Sequence, residues 1–149
     1  MAFLLRPLSE HDAEDILRID QKLGGKANSE HWENRVLYAI RRDPDASWVA
    51  ENSETKKVVA YLLTDVRGEE YGLPDVTGWI EVVGVDPGFQ RQNLAGQLLE
   101  KVLSYFKSRG VSDVRTLLNP QQAAQAGLVS FFEKQGFQPE PLVVYLKRL

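Results

Sequence analysis

The stretch V-D-P-G-F-Q-R-Q-N-L-A-G-Q-L-L-E-K-V-L, Val85–Leu103, decides how this chain is read. An apolar segment, 79–85, stops at Pro87. Gln90, Arg91, Gln92 and Asn93 follow without an apolar pattern, and Leu94, Leu98, Leu99 and Val102 then take up helical spacing. A turn of small and amide side chains between a strand and a helix exposes unpaired backbone N–H groups at the positive end of the helix dipole. Such a turn suits an anion, most often phosphate. Asn93 tolerates a left-handed backbone, and Ala95 and Gly96 keep the first helical turn thin. Gln90, Arg91 and Gln92 add side-chain donors, Arg91 with a charge. There is no G-x-G-x-x-G and no G-K-[ST], so the turn is neither the dinucleotide fingerprint nor a P-loop. On these residues alone an ordinary strand-to-helix turn remains the alternative.

Outward from this turn, the chain alternates elements. Strands are expected at 3–6, 46–51, 57–66, 79–85, 114–118 and 142–146. Helices are expected from a Ser9 cap to Gly24-Gly25, from a Ser29 cap to before Pro44, from the quoted turn to about Ser108, and over 121–135 up to Gly136. The run N-S-E-T-K joins two strands as a hairpin, whereas a helix separates the strands at 79–85 and 114–118, which implies a parallel crossover. The expected fold class is α/β (α+β): a mixed sheet flanked by helices, in a single domain over 1–149.

Composition excludes several function classes. The chain has 149 residues, 43% hydrophobic and 26% charged, with a formal net charge of −3 and no cysteine. That balance suits a globular domain. It offers no basic footprint for nucleic acid and no thiolate for a disulfide, a metal or a nucleophile. No run approaches a membrane span, and the N-terminal apolar run is too short for a signal peptide. A cytoplasmic protein without nucleic-acid or membrane partners is expected. His11 and His31 are isolated on expected helices, so no metal site is expected.

V-D-P-G-F-Q-R-Q-N-L-A-G resembles the acetyl-CoA-binding signature of the GNAT superfamily of N-acetyltransferases, V-x-P-x-x-[RQ]-x-x-G-x-[GA]. Val85, Pro87, Gln90 and Ala95 match in register, and Asn93 stands where the family usually has glycine. S-F-F-E-K-Q-G-F, Ser130–Phe137, is similar to the family's second signature, and the order of elements is also the family's. The resemblance implies a mixed six- to seven-stranded sheet with about four helices and two splayed parallel strands at its centre. It implies acetyl-CoA as co-substrate and a primary amine as acceptor.

The resemblance also distributes roles. Gln90, Arg91, Gln92, Asn93, Leu94, Ala95 and Gly96 would hold the pyrophosphate, and backbone near Val83 and Val85 would hold the pantetheine. Asn119, Gln125 and Phe132 would stand near the cofactor. Glu81 is the candidate general base, and strict alternation would turn it the same way as Val83 and Val85. A strand glutamate paired with a neighbouring Arg or Lys is the alternative for Glu81. The family's usual tyrosine acid is Phe132 here, which donates no proton. Tyr145 is the candidate replacement, with a half-buried structural tyrosine as its alternative. Trp32 and Tyr71 are candidates to line the acceptor cleft. A homodimer through the last strand is compatible with the family. A catalytically weak acyl-CoA sensor and a Rossmann-type binder compete with the enzyme; the missing fingerprint and the hairpin-rich first half argue against the latter.

Overall fold

A computed structural model of the chain describes residues 2–73, 75–125 and 127–149; the side chains of residues 122, 124 and 125 lie outside the described residues. The residues form two compact units, Met1–Leu117 and Leu118–Leu149.

The first unit is a five-stranded sheet in the order β1-β2-β3-β4-β5. Its strands are β1 (Phe3–Pro7), β2 (Trp48–Asn52), β3 (Val58–Arg67), β4 (Thr77–Val85) and β5 (Asp113–Thr116). The first four pair antiparallel, and β5 runs parallel to β4. Helix α3 (Leu94–Ser108) makes the crossover between the parallel strands. Each expected strand in this unit is present, with ends shifted by up to two residues.

Helices α1 (Ala13–Lys22) and α2 (Ser29–Arg42) cover one face of the sheet. Ile16, Ile19, Trp32 and Val36 meet Val49, Val58, Tyr61 and Leu63 in one core cluster. The other face carries α3, whose Leu98, Leu99, Val102 and Phe106 are buried. Each such side chain contributes about 1.5–3 kcal/mol on leaving water. Gly78 of β4 lies directly beneath the Phe106 ring, where any side chain would collide with it.

The helix starts follow local chemistry. Ser9 and Asp12 form a reciprocal capping box around one turn of 3-10 helix, and the Ser9 N–H donates to Asp12 Oδ2 at 2.8 Å. Arg6 clamps the same carboxylate with two bonds of 2.9 and 2.8 Å. Asn28, rather than Ser29, caps α2: its Oδ1 accepts from the His31 N–H at 2.9 Å. Ser29 is instead the first helical residue, its hydroxyl donating to Glu33.

The second unit departs from expectation in two ways. The helix expected over 121–135 is two, α4 (Pro120–Gln125) and α5 (Leu128–Lys134), with Gly127 at φ 69° ahead of α5. The strand expected at 142–146 is absent: residues 137–149 have no regular secondary structure, so the sheet has five strands among the described residues rather than six or seven.

Candidate functional site

Two features of β4 define the site. The first is how it pairs with β5. The parallel ladder runs from Thr77–Asp113 only as far as Ile80–Thr116, whereas β4 continues to Val85. Residues 81–85 therefore carry no strand on their β5 side among the described residues. Their backbone groups there need another partner, because unpaired peptide groups are costly when shielded from water. An extended ligand with amide groups can supply it.

The second feature is a bulge. Leu63 pairs with Val82 and Thr64 pairs with Ile80, so Glu81 is one extra residue in β4 opposite no partner in β3. Strict alternation would have turned Glu81 the same way as Val83 and Val85. The bulge overrides it. Val82 packs against the core cluster under α1 and α2, whereas Val83 and Val85 pair with Leu62 and Ala60 and take the opposite face. Glu81 turns to the α1/α2 face, where its Oε1 accepts from Arg67 Nη2 at 2.5 Å.

Arg67 is the hub of that face. Its Nε also donates to Asp65 Oδ2 at 3.1 Å, and its guanidinium lies 5.8 Å from the centroid of the Trp79 ring. Asp65 is held from the other side by Arg42 at 3.0 Å. Burial alone would lower the Arg67 pKa, but the bonds to Asp65 and Glu81 hold it above the ordinary value. Tyr71, largely exposed, meets Trp79 edge-on at 5.6 Å. Trp79 Nε1 is buried without a hydrogen-bond partner among the described residues. Farther along the same face, the Tyr61 ring covers Gly84, and burial pushes its phenol well above the ordinary 10.0. Trp32 is buried in the core, with Nε1 donating to Asp20 at 3.2 Å.

Beyond β4 the turn is pinned by Asp86. Its carboxylate accepts from the Gly88 N–H at 2.9 Å and from Lys22 of α1 at 3.0 Å. The Asp86 N–H donates to Val59 O at 2.8 Å, a carbonyl of β3. Burial would raise the Asp86 pKa, but these donors hold it below its usual range. Gln90, Arg91, Gln92 and Asn93 are exposed. Arg91 and Asn93 both take left-handed conformations, φ 72° and 55°, with Asn93 immediately ahead of α3. Alternation of backbone hand of this kind turns successive N–H groups toward one concavity, and the first amides of α3 have no acceptor within the helix. Gly96 lies against the Asn93 side chain, whose amide end would have to shift for a Cβ there. Leu94 is different: its side chain is buried in the core, so only its backbone can face a ligand.

Four of the expected residues fall in the second unit. Asn119 caps α4, its Oδ1 accepting from the Gln121 N–H at 3.1 Å. Phe132 is buried between Phe131 and Phe137, each ring edge-on at 5.1 Å. The Gln125 side chain lies outside the described residues. Tyr145 is a correction: expected on a strand and half buried, it is 93% exposed in irregular chain.

The first unit thus brings together Glu81, Val83, Val85 and the 90–96 turn on one strand and its exit. Sequence reasoning gave an Arg or Lys of the neighbouring strand as the alternative for Glu81 without naming Arg67, which is that partner, and it missed Lys22 and Asp86 as the residues that hold the turn. No signal in the sequence singled out Lys22. Arg67 sits at the end of an expected strand beside the one carrying Glu81, and a cross-strand charge rule could have found it.

The model of the Acetyltransferase (GNAT) family matches residues 12–137. Mycothiol acetyltransferase of Beutenbergia cavernae is 31% identical over 98 residues, 65% of this chain and 30% of that protein; the chain thus spans less than a third of that relative's length. Among solved structures, aminoglycoside 6'-N-acetyltransferase AAC(6')-Ih from Acinetobacter baumannii superposes with a TM-score of 0.80 at 19% identity, covering 99% of each chain. Aminoglycoside N-acetyltransferase AAC(6')-Iy in complex with CoA gives 0.80 at 16% identity, over 99% of this chain and 96% of that one. Glucosamine-6-phosphate N-acetyltransferase from Arabidopsis thaliana gives 0.69 at 22%, over 99% of each. At these identities the superpositions speak for the fold alone. Among the described residues no helix is long and apolar enough to cross a membrane, and no cluster of three metal-ligating side chains occurs.

Proposed function

The chain belongs to the acetyltransferase (GNAT) family, and from that premise we propose that it transfers the acetyl group of acetyl-CoA directly to a primary amine. The observation that carries this reading is the early end of the β4–β5 ladder at Ile80–Thr116, which frees the edge of 81–85 just before a left-handed turn and a helix N-terminus. A thioester-bearing pantetheine would add to that edge through backbone near Val83 and Val85. Its pyrophosphate would sit on the amides of 90–96, with Gln90, Gln92 and the charge of Arg91 beside them. Asn119, Gln125 and Phe132 are the further candidates for cofactor contacts, and 1–149 is proposed to be one domain. The proposed setting is cytoplasmic, where acetyl-CoA is at hand.

In the reaction the amine nitrogen attacks the thioester carbonyl, the C–N bond forms and the C–S bond breaks. The nitrogen must shed a proton and the departing thiolate must gain one. Glu81, turned to the α1/α2 face by the bulge, is the proposed acceptor of the amine proton, directly or through a water. Arg67 engages its Oε1 and acts as the positioning residue, which leaves Oε2 to meet the water or amine. A β4 amide beyond the bulge would donate to the oxygen on which negative charge develops. Water protonates the coenzyme A thiolate, which is a good leaving group.

Calorimetric titration with acetyl-CoA, NADH and ATP tests the reading, followed by thiol release across a panel of amines. The expected result is micromolar binding of acetyl-CoA alone and thiol release that depends on an amine. Binding without release from any amine would refute the catalytic reading, and no binding would refute the site.

A further inference from the structure

The α1/α2 face of β4 holds two hydrogen-bond donors that the proposed mechanism leaves idle. The first is the Tyr61 hydroxyl. Tyr61 of β3 and Gly84 of β4 are ladder partners, and a Cβ on Gly84 would stand 2.5 Å from both Cζ and Oη of the ring. The phenol thus crosses from β3 with its hydroxyl end over β4, the strand whose far edge is free. Tyr61 is 1% exposed, and its hydroxyl makes no hydrogen bond among the described residues. A buried polar group without a partner is costly. Burial also keeps the phenol protonated, so it is a standing donor.

The second donor is Arg35 of α2. Its guanidinium lies 5.2 Å from the centroid of the Trp32 ring, and the Trp32 and Tyr61 rings meet edge-on at 5.7 Å. The residue is half-buried, yet it forms no hydrogen bond and no ion pair among the described residues. Its neighbours one helical turn away are His31, Trp32, Tyr38 and Ala39, none of them a carboxylate. Asp20 is the acidic group on this side; it accepts from the Trp32 indole at 3.2 Å and does not pair with Arg35. Burial raises the Tyr61 pKa, Asp20 raises it further and Arg35 lowers it, which sets both charges beside the phenol.

A guanidinium fork and a hydroxyl without an acceptor suit an oxyanion. A single unpaired guanidinium beside Asp20 suits one negative charge better than the doubled charge of a phosphate. Glu81 stands three residues from Gly84 on β4, about 10 Å at 3.3 Å per residue. A molecule with a carboxylate at one end and an amine a few bonds away reaches both. We propose that the acceptor is a primary amine carrying a carboxylate, with Arg35 and the Tyr61 hydroxyl holding the carboxylate and the amine turned toward Glu81. The proposal rests on the acetyltransferase reading and names the class of its acceptor.

Calorimetry on the full chain loaded with coenzyme A compares glycine, β-alanine and γ-aminobutyrate with ethylamine, propylamine and butylamine. Thiol release from acetyl-CoA compares the same pairs, and phosphoethanolamine is the phosphate arm. In at least one pair the acid should be favoured about tenfold or more in affinity and in kcat/KM, the scale of a hydrogen bond to a charged group. Phosphoethanolamine should fall below that acid. In Arg35→Gln the preference should fall toward one, and Arg35→Lys should recover part of it. Tyr61→Phe, which keeps the buried ring, should reduce it several-fold. Absence of thiol release from every amine would refute the acetyltransferase reading, while calorimetry still reads the carboxylate site. Equal binding within every pair overturns the proposal, as does a preference untouched by Arg35→Gln or a stronger preference for phosphoethanolamine. A loss of acetyl-CoA affinity in Arg35→Gln would assign Arg35 to the cofactor and overturn it as well.

Discussion

Asn93 tests the turn most directly, because its backbone conformation separates two substitutions of opposite sign. It sits at φ 55° and ψ 33°, immediately ahead of α3, with no side-chain capping bond. An L-residue in this region costs roughly 1–2 kcal/mol, less for Asn and nothing for Gly. Asn93→Gly should therefore keep the turn and leave acetyl-CoA affinity equal or better. Asn93→Val puts a β-branched side chain where it is least tolerated. A penalty of about 1–2 kcal/mol confined to the turn lowers the fraction of molecules in the binding-competent shape, and apparent affinity falls with that fraction, by at most roughly 5–30-fold. If the rest of the chain shares the strain, the melting temperature also drops by about 2–8 °C. Calorimetry with acetyl-CoA and a thermal melt on both variants read the two effects separately. Equal affinities for the Gly and Val proteins would refute the assignment of the left-handed turn to the ligand.

Other expectations follow from the same geometry. Glu81→Gln should depress turnover most at lower pH, where free amine is scarce; an unaltered pH–rate profile would remove Glu81 as base. Gly84→Ala sets a methyl carbon 2.5 Å from Tyr61 Cζ and Oη, so overpacking should cost about 1–3 kcal/mol. Adding Tyr61→Leu, which vacates the ring, should recover part of that loss, and strictly additive melts would contradict the contact. The Asp86 carboxyl is depressed below 3.8 in the folded protein. It therefore contributes stability that is fully present above that value and lost as pH falls through the folded pKa. Asp86→Asn should cost about 1 kcal/mol at neutral pH, a gap that closes in strong acid; a gap constant with pH would show that the carboxylate is not what Lys22 and Gly88 hold.

Much of the fold was legible because its signals are local. Strand 79–85, the Asn-containing turn and the apolar stripe of α3 follow one another without a break between Trp79 and Phe106, and periodicity and backbone tolerance read them directly. The Ser9 cap was legible for the same reason. The Asn28 cap was missed because Asn28 and Ser29 both satisfy the composition rule and only geometry selects between them. The break before α5 was carried by Gly127, at φ 69°, yet the apolar spacing on either side runs through it. The face taken by Glu81 was not legible at all: a bulge is a property of two strands, and nothing in β4 alone announces that Leu63 and Thr64 will skip a residue. The strand expected at 142–146 is absent, because a strand exists only with a partner and the local composition of L-V-V-Y-L does not supply one.

The bulge has one more consequence. Because Leu63 meets Val82 and Thr64 meets Ile80, β4 without Glu81 would be a regular nine-to-eight shortening in which every remaining pair keeps its register and every remaining side chain its face. Glu81 is thus the supernumerary residue of the strand, tolerated by the ladder rather than required by it. Excising it is a gentler operation on the architecture than most substitutions in β4. A chain lacking that one codon should fold with the same sheet and a straighter strand, while losing the carboxylate and the local twist together. Lineages that do without the acid would be expected to show a one-residue gap there rather than a replacement.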